Sequence, residues 1–358
     1  MKKLINASFL ILLSLNGLAQ TYSSPESLEF DFANDRWLIS NKSANNILAR
    51  SSATGVLSIF ATGISSPHGI EIANDTVYVC SGGNLVAYEL STGANVFSMS
   101  LGATYLNGIT HDSTYLYITD FSAKNIYRFN MQTRASSIFV PGVSKTPNGI
   151  IYDQANSRCV FVTWGSNAPI MAFDVTTGAV TTVTPTSLSN CDGVAIDGSG
   201  DFYVSSWGLN GISKFDHAFL SPPTTVVSGL TSPADIFYNI LSDTLGVANS
   251  GSLSNTSYHF LGTSTSIAEN AIKDMEFSLN PNPVRKSAEI SFVLSKPDVV
   301  QVSIFSLNGQ LMQILPADEK SAGMQTLQFS RENLSEGFYF LKISGKNQIG
   351  ISKFLILD

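Results

Sequence analysis

Apolar and polar positions alternate with a period of two through most of residues 25–260, the pattern of half-buried β-strands. The apolar runs are β-branched or aromatic: Trp37-Leu38-Ile39, Tyr78-Val79, Tyr117-Ile118, Phe161-Val162 and Tyr203-Val204. Turn dipeptides such as Thr54-Gly55, Thr92-Gly93 and Thr177-Gly178 punctuate them. No window sustains a helical period. The runs also recur in register. A loop ending in Pro-x-Gly, or a variant of it, precedes an aliphatic residue in Pro25-Glu26-Ser27-Leu28, Pro67-His68-Gly69-Ile70 and Leu106-Asn107-Gly108-Ile109. The phrase returns in Pro147-Asn148-Gly149-Ile150, Cys191-Asp192-Gly193-Val194 and Ala234-Asp235-Ile236. The third positions (27, 69, 108, 149, 193 and 235) lie 42, 39, 41, 44 and 42 residues apart.

A second column, Ile47, Leu85, Ile126, Ile170 and Ile212, opens strands that mostly carry an aromatic three residues later. Repeats of about 42 residues with three or four antiparallel strands predict a β-propeller. Six anchors predict six blades over residues 20–262. The sixth has no clear outer strand after Tyr258-His259-Phe260, and the stretch near Thr21-Tyr22 is the candidate to close it.

The ends of the chain read differently. Lys2-Lys3, the apolar run Phe9–Leu13 and Gly17-Leu18-Ala19 predict a signal peptide over 1–19, with the mature chain starting at Gln20. No later segment is long and apolar enough to predict a membrane span. Residues 263–275 read as a Ser/Thr linker, and 276–358 as a small β-sandwich with strand-like runs at Ile290–Phe292, Val300–Phe305, Phe338–Ile343 and Lys353–Ile356. The fold class expected is thus all-β, a six-bladed propeller plus a C-terminal sandwich.

Within 276–358, Pro281-Asn282-Pro283, Asn308-Gly309-Gln310, Leu334-Ser335-Glu336-Gly337-Phe338-Tyr339 and Lys353-Phe354 resemble the type A C-terminal sorting domain of the Bacteroidetes type IX secretion system. The resemblance implies contact with that machinery, passage across the outer membrane, and removal of the domain on release or surface attachment.

Charge narrows the function. Charged residues are 13% of the chain, about half the usual ~25%, and the net charge is −7. Without a basic surplus, nucleic acid is not an expected partner. Three cysteines (Cys80, Cys159, Cys191) cannot all pair and fit no zinc spacing.

No phosphate loop, nucleophile elbow or His-Glu-x-x-His motif occurs, so any chemistry must come from the repeat geometry. Hairpin logic puts the start of each first strand and the end of each second strand on one face. The anchor position then presents Glu26, His68, Asn107, Asn148, Asp192 and Ala234 around a channel mouth, with Asp235 next in sequence. Glu26, Asn107, Asn148 and Asp192 are candidate oxygen ligands for a divalent cation, calcium by its hardness. The same Asn-Gly and Asp-Gly pairs also read simply as turn chemistry.

These phrases resemble the gluconolactonase and senescence-marker-protein family and, more loosely, the paraoxonase and NHL-repeat propellers. That likeness implies a metal on Glu26, Asn148 and Asp192, with Asn107 an approximate fourth match. The family's Gly-Glu-Gly-Pro-x-Trp opening is reduced here to Pro25-Glu26-Ser27, and its Pro-Asp-Gly to Cys191-Asp192-Gly193. It implies attack on a lactone or ester, with Asp192 as general base and His68 as a candidate proton shuttle.

Trp164, Trp207 and Asp120 end second strands on the same face and are candidate substrate contacts, although such Trp residues also plug gaps between blades. His111, in a column with Phe30, Tyr152 and Tyr238, reads as packing. Ser40, Cys80, Thr119, Thr163 and Ser205 read as a close-packing column. The turns at Asp75, Asp112 and Asp243 fit either Asp-Ser/Thr O-glycosylation acceptors or plain turns. Two functions follow: a secreted calcium-dependent lactonase or esterase working at the mouth, or a non-catalytic surface propeller that binds a glycan or protein.

Overall fold

A computed structural model describes residues 20–261, 273–306, 311–332, 334–345 and 348–358. The expected signal peptide and the Asn308-Gly309 hairpin fall outside the described residues. Residues 25–260 form six antiparallel sheets, five of four strands and a last one of three. In each, consecutive strands pair in order, as in Pro25–Asp31, Arg36–Asn41, Asn46–Ser51 and Leu57–Thr62 of the first sheet. The six inner strands are Pro25–Asp31, Pro67–Ala73, Leu106–His111, Thr146–Asp153, Cys191–Ile196 and Pro233–Asn239. Each packs on the next and the first packs on the sixth, so the sheets close into a propeller around a central channel. The Ile47, Leu85, Ile126, Ile170 and Ile212 column is fully buried between sheets.

The repeated Gly is there for close approach, which corrects the expectation of plain turn chemistry. None of Gly69, Gly108, Gly149 or Gly193 has a positive φ. A Cβ on Gly69 would lie 2.2 Å from the carbonyl oxygen of Asn107, and one on Gly149 would lie 2.3 Å from that of Asp192. The inner strands crowd one another at the channel axis, and only Gly lets them do so.

Each inner strand also carries a bulge at this point, for example between Pro25 and Ser27 and between Cys191 and Val194. A bulge leaves an inner-strand N–H without its ladder partner. In three of the sheets the small-residue column satisfies it, a role beyond the close packing read from sequence. Ser40 Oγ accepts from Ser27 N (2.8 Å), Thr119 Oγ1 from Gly108 N (2.8 Å) and Ser205 Oγ from Gly193 N (2.7 Å). Thr119 and Ser205 then donate to the carbonyls of Asn148 (2.8 Å) and Ala234 (2.6 Å) in the neighbouring sheet. Cys80 stands in the same column, fully buried with its thiol pKa pushed up by that burial, which suits a packing residue and not a nucleophile.

The three-stranded sixth sheet is closed from the other end of the sequence. Ser24 N donates to Ser254 Oγ (2.7 Å), Thr256 Oγ1 donates to Tyr22 Oη (2.8 Å), and Tyr22 packs on the core shared by the first and sixth sheets. The N-terminal stretch covers that edge without forming a strand.

The C-terminal segment is a two-sheet sandwich. One sheet runs Lys273–Asp274, Gln348–Ile356, Gly337–Ser344, Asp298–Ser306 and Leu311–Lys320, and the other Phe277–Asn280, Ser287–Leu294 and Gly323–Ser330. Ile290, Phe292, Ile304, Phe329, Leu341 and Phe354 fill the space between them. The strand at Lys273–Asp274 lies inside the stretch read from sequence as linker. Lys342, 7% exposed, reaches from the sandwich to the propeller, donating to Ile240 O (2.6 Å) and to both carboxylate oxygens of Asp243 (3.1 Å each). Asp243, one of the three candidate glycosylation turns, is therefore engaged as an ion-pair partner.

Candidate functional site: the channel neck and its mouth

The bulged starts of the inner strands converge on a narrow neck lined by Glu26, Ser27, Asn107, Asn148, Asp192 and Asp235. Glu26, Asn107, Asn148 and Asp192 are thus brought together as the register predicted. Space between them is too small for a water molecule, because the side chains bond one another. Asn107 Nδ2 donates to Asn148 Oδ1 (2.5 Å), and Asn148 Nδ2 donates to Cys191 O (3.2 Å). Glu26 Oε1 accepts from Lys42 Nζ (2.5 Å) and from Ser250 Oγ (2.8 Å).

The electrostatics are crowded. Burial, reinforced by Glu26 and Asp235, holds Asp192 well above the ordinary carboxylate range, and Lys42 and the Trp207 indole only partly oppose this. Burial lifts Asp235 to about 6, against a Ser27 hydroxyl (2.6 Å) and its neighbour's backbone N–H (2.9 Å) that favour the ionised form. For Lys42, burial works against the charge, but Glu26 beside it outweighs this and raises the pKa. Three carboxyls therefore share one ammonium.

The donor chemistry fits a hard divalent cation: carboxylates and amide oxygens converge from four different sheets. Glu26, Asn148 and Asp192 would hold it, with Asn107 turned to present its oxygen. The Lys42 ammonium now sits against Glu26, and the described residues contain no cluster of three or more His, Cys, Asp or Glu arranged as a metal site.

Above the neck, aromatic rings make an arc around the mouth. His68 meets Tyr105 at 4.7 Å between centroids, Tyr105 meets Phe121 at 6.0 Å, Phe121 meets Trp164 at 5.9 Å, and Trp164 meets Trp207 edge-on at 5.2 Å. Trp164 and Trp207 are both half-buried, so part of each indole faces outward. His68 is buried and engaged at both nitrogens, with Ser66 O on Nδ1 (2.8 Å) and the Tyr105 hydroxyl on Nε2. Burial first, then Lys42, lowers its pKa. The imidazole is thus held in place at both ends.

Asp120 is held by its surroundings as well. It is fully buried and accepts the backbone N–H groups of Thr104 (2.7 Å), Tyr105 (3.1 Å) and Ala123 (2.9 Å), so it holds the loop that carries Tyr105. His111 departs from the packing expectation: it hydrogen-bonds Glu71 and lines a cavity at the far end of the channel. Lys42, Ser250, Tyr105 and Phe121 were not found from sequence. Asp235 had a signal, since Ser27 and Asp235 are the two breaks in the Gly column and they bond each other.

The C-terminal sandwich settles one question of identity. Residues 278–357 match the family of the secretion system C-terminal sorting domain. The protein is thus directed to type IX secretion, and ends up outside the cell or at its surface. No helix among the described residues is long and apolar enough to cross a membrane.

No curated protein sequence matches the chain. Among solved structures, it resembles a protein of unknown function from Bacteroides thetaiotaomicron (TM-score 0.55, 14% identity, covering 66% of this chain and 69% of that one). It also resembles a gluconolactonase from Xanthomonas campestris (TM-score 0.55, 13% identity, 64% and 84%) and the calcium-binding protein regucalcin from Agrobacterium tumefaciens (TM-score 0.52, 18% identity, 64% and 83%). At these identities the likeness shows the propeller fold alone.

Proposed function

We propose that this exported propeller binds a divalent cation, calcium by the hardness of its donors, at the neck, and hydrolyses a lactone or ester at the aromatic mouth. The observation that carries the reading is the charge at the neck, where Glu26, Asp192 and Asp235 face a single ammonium, Lys42. Burying like charges together is unfavourable unless a cation joins them. The likeness to a gluconolactonase and to a calcium-binding propeller supports the same reading at the level of fold.

A divalent cation held there supplies Lewis acidity toward a carbonyl oxygen. Asp192, at the neck beside the aromatic mouth, takes the proton of the attacking water. Tyr105 and His68 fix one another beside the reacting carbonyl, and the outward parts of Trp164 and Trp207 hold the apolar part of the substrate. Lys42, a third exposed, would have to give up Glu26 for a cation to be held there.

The half-buried, edge-on Trp164–Trp207 pair favours a second reading, a glycan-binding mouth without catalysis. The two separate in one experiment. The full chain is assayed with γ- and δ-lactones and p-nitrophenyl acetate, in calcium and in chelator, as wild type and as Asp192→Asn. Calcium-dependent turnover lost in the variant supports hydrolysis. Absence of turnover, with glycan binding lost in Trp164→Ala but kept in Asp192→Asn, replaces it with the second reading.

A further inference from the structure

We infer that the wide end of the channel, on the far side of the neck, is a binding site for a small organic cation: an amine or ammonium on an apolar body. The cavity there has a volume of about 540 Å³, within the range of about 300–1,000 Å³ typical of small-molecule sites. Its wall is built by repetition. The aliphatic residue after each bulge contributes one position per sheet (Leu28, Ile70, Ile109, Ile150, Val194 and Ile236), giving a continuous apolar girdle.

Of the acids in this wall, Asp153 and Asp197 are paired with Arg158 and Lys214, but Glu29 and Glu71 have no lysine or arginine to match them among the described residues. Glu29 and Glu71 line the cavity, and no lysine or arginine is among the residues that do. Glu29 is 5% exposed. Its Oε2 accepts from Ile72 N (2.7 Å), and its Oε1 has no hydrogen-bond partner among the described residues. Glu71 is bonded to His111. Burial lowers His111 to about 4, which works against a positive charge on its imidazole. Burial, and for Glu29 the charge of Glu71, pushes both carboxyls well above their ordinary range.

An apolar wall excludes a hydrated metal ion, and the acids disfavour an anion or a fully apolar ligand. A ligand that brings its own ammonium resolves both, since charge-assisted hydrogen bonds in a desolvated site are the strong ones. Leu311 of the sorting domain reaches this end of the channel and lies in the cavity wall, so the probe must be offered to the full chain.

The test is calorimetric titration of the full chain with 1-adamantylamine and with 1-adamantanol, in chelator so that the neck plays no part. The two probes share one apolar cage and differ only in the ammonium. The amine is expected to bind at least tenfold more tightly than the alcohol. Glu29→Gln and Glu71→Gln are each expected to remove most of that preference and leave alcohol binding unchanged. Equal binding of the two probes to wild type, or binding of neither, overturns the inference without reference to any variant. An amine preference that survives both substitutions overturns it as well. None of these outcomes bears on the neck, whose test is calcium-dependent.

Discussion

Asp235 sits where the neck meets the cavity, and its replacement by Asn makes a quantitative test of how these buried acids behave. In the folded protein its carboxyl is lifted from 3.8 to about 6, chiefly by burial. A group with a raised folded pKa contributes stability that is fully present below its unfolded pKa and is lost as pH rises through the folded value. Between about pH 4 and pH 7 this residue therefore costs the fold about 3 kcal/mol. Solvent in the cavity screens part of that, because the side chain is only half-buried. For a domain of this size the cost corresponds to about 6–12 °C in the melting midpoint.

Asn keeps an oxygen for the Ser27 hydroxyl, which is 2.6 Å away, and removes the titration. Urea unfolding of wild type and Asp235→Asn, followed by tryptophan fluorescence at pH 4.5 and pH 8 in chelator, reads the difference. Wild type is expected to lose up to about 2 kcal/mol more than the variant over this interval, the first part of the effect being already spent by pH 4.5. The same loss in both proteins would refute the assignment of a strained, ionised Asp235.

Other substitutions test the geometry around it. Lys42→Met removes the ammonium that competes with a cation at Glu26; the variant should melt lower in chelator and bind calcium about tenfold more tightly, a gain of about 1.4 kcal/mol. Unchanged calcium affinity in the calorimeter would count against Lys42 as the competitor. Gly149→Ala sets a Cβ 2.3 Å from a backbone oxygen, which backbone can relieve only by moving the inner strands apart. Its denaturation midpoint should fall by an amount equivalent to at least about 2 kcal/mol, and a near-neutral result would contradict the close approach at the axis. Thr119→Val leaves Gly108 N–H and Asn148 O without their hydroxyl partner. A loss of about 1–3 kcal/mol in chemical denaturation is expected, against near zero if the column only packs.

What the sequence made legible follows from how the repeat works. Each sheet spends one residue at the bulge, one aliphatic after it and one small residue across from it. Their recurrence near every 42 residues exposed the sheets, and with them the convergence of Glu26, Asn107, Asn148 and Asp192. Residues that act from outside the repeated positions stayed hidden. Lys42 lies just past the end of a second strand, and Ser250 comes from the sheet that closes on the first, so their contacts with Glu26 exist only once the ring is closed. Asp120 and His68 were visible as polar residues on the correct face, but not their partners, and it is those partners that hold them in place. The far cavity was missed because Glu29, Glu71 and His111 fall in strand positions that elsewhere in the repeat carry apolar residues. The C-terminal sandwich was read from four of its strands. The exposed strands Leu311–Lys320 and Gly323–Ser330 carry too few buried apolar positions to stand out.

The measurement that bears most directly on the central claim is calcium binding to the full chain, by titration calorimetry and by the shift of its melting midpoint, on wild type, Glu26→Gln and Asp192→Asn. At calcium about 100 times the dissociation constant, wild type should gain about 2.7 kcal/mol of stability, and either substitution should abolish or sharply reduce both the heat and the shift. Absence of heat and shift in wild type, or binding that survives both substitutions, would contradict a cation at the neck.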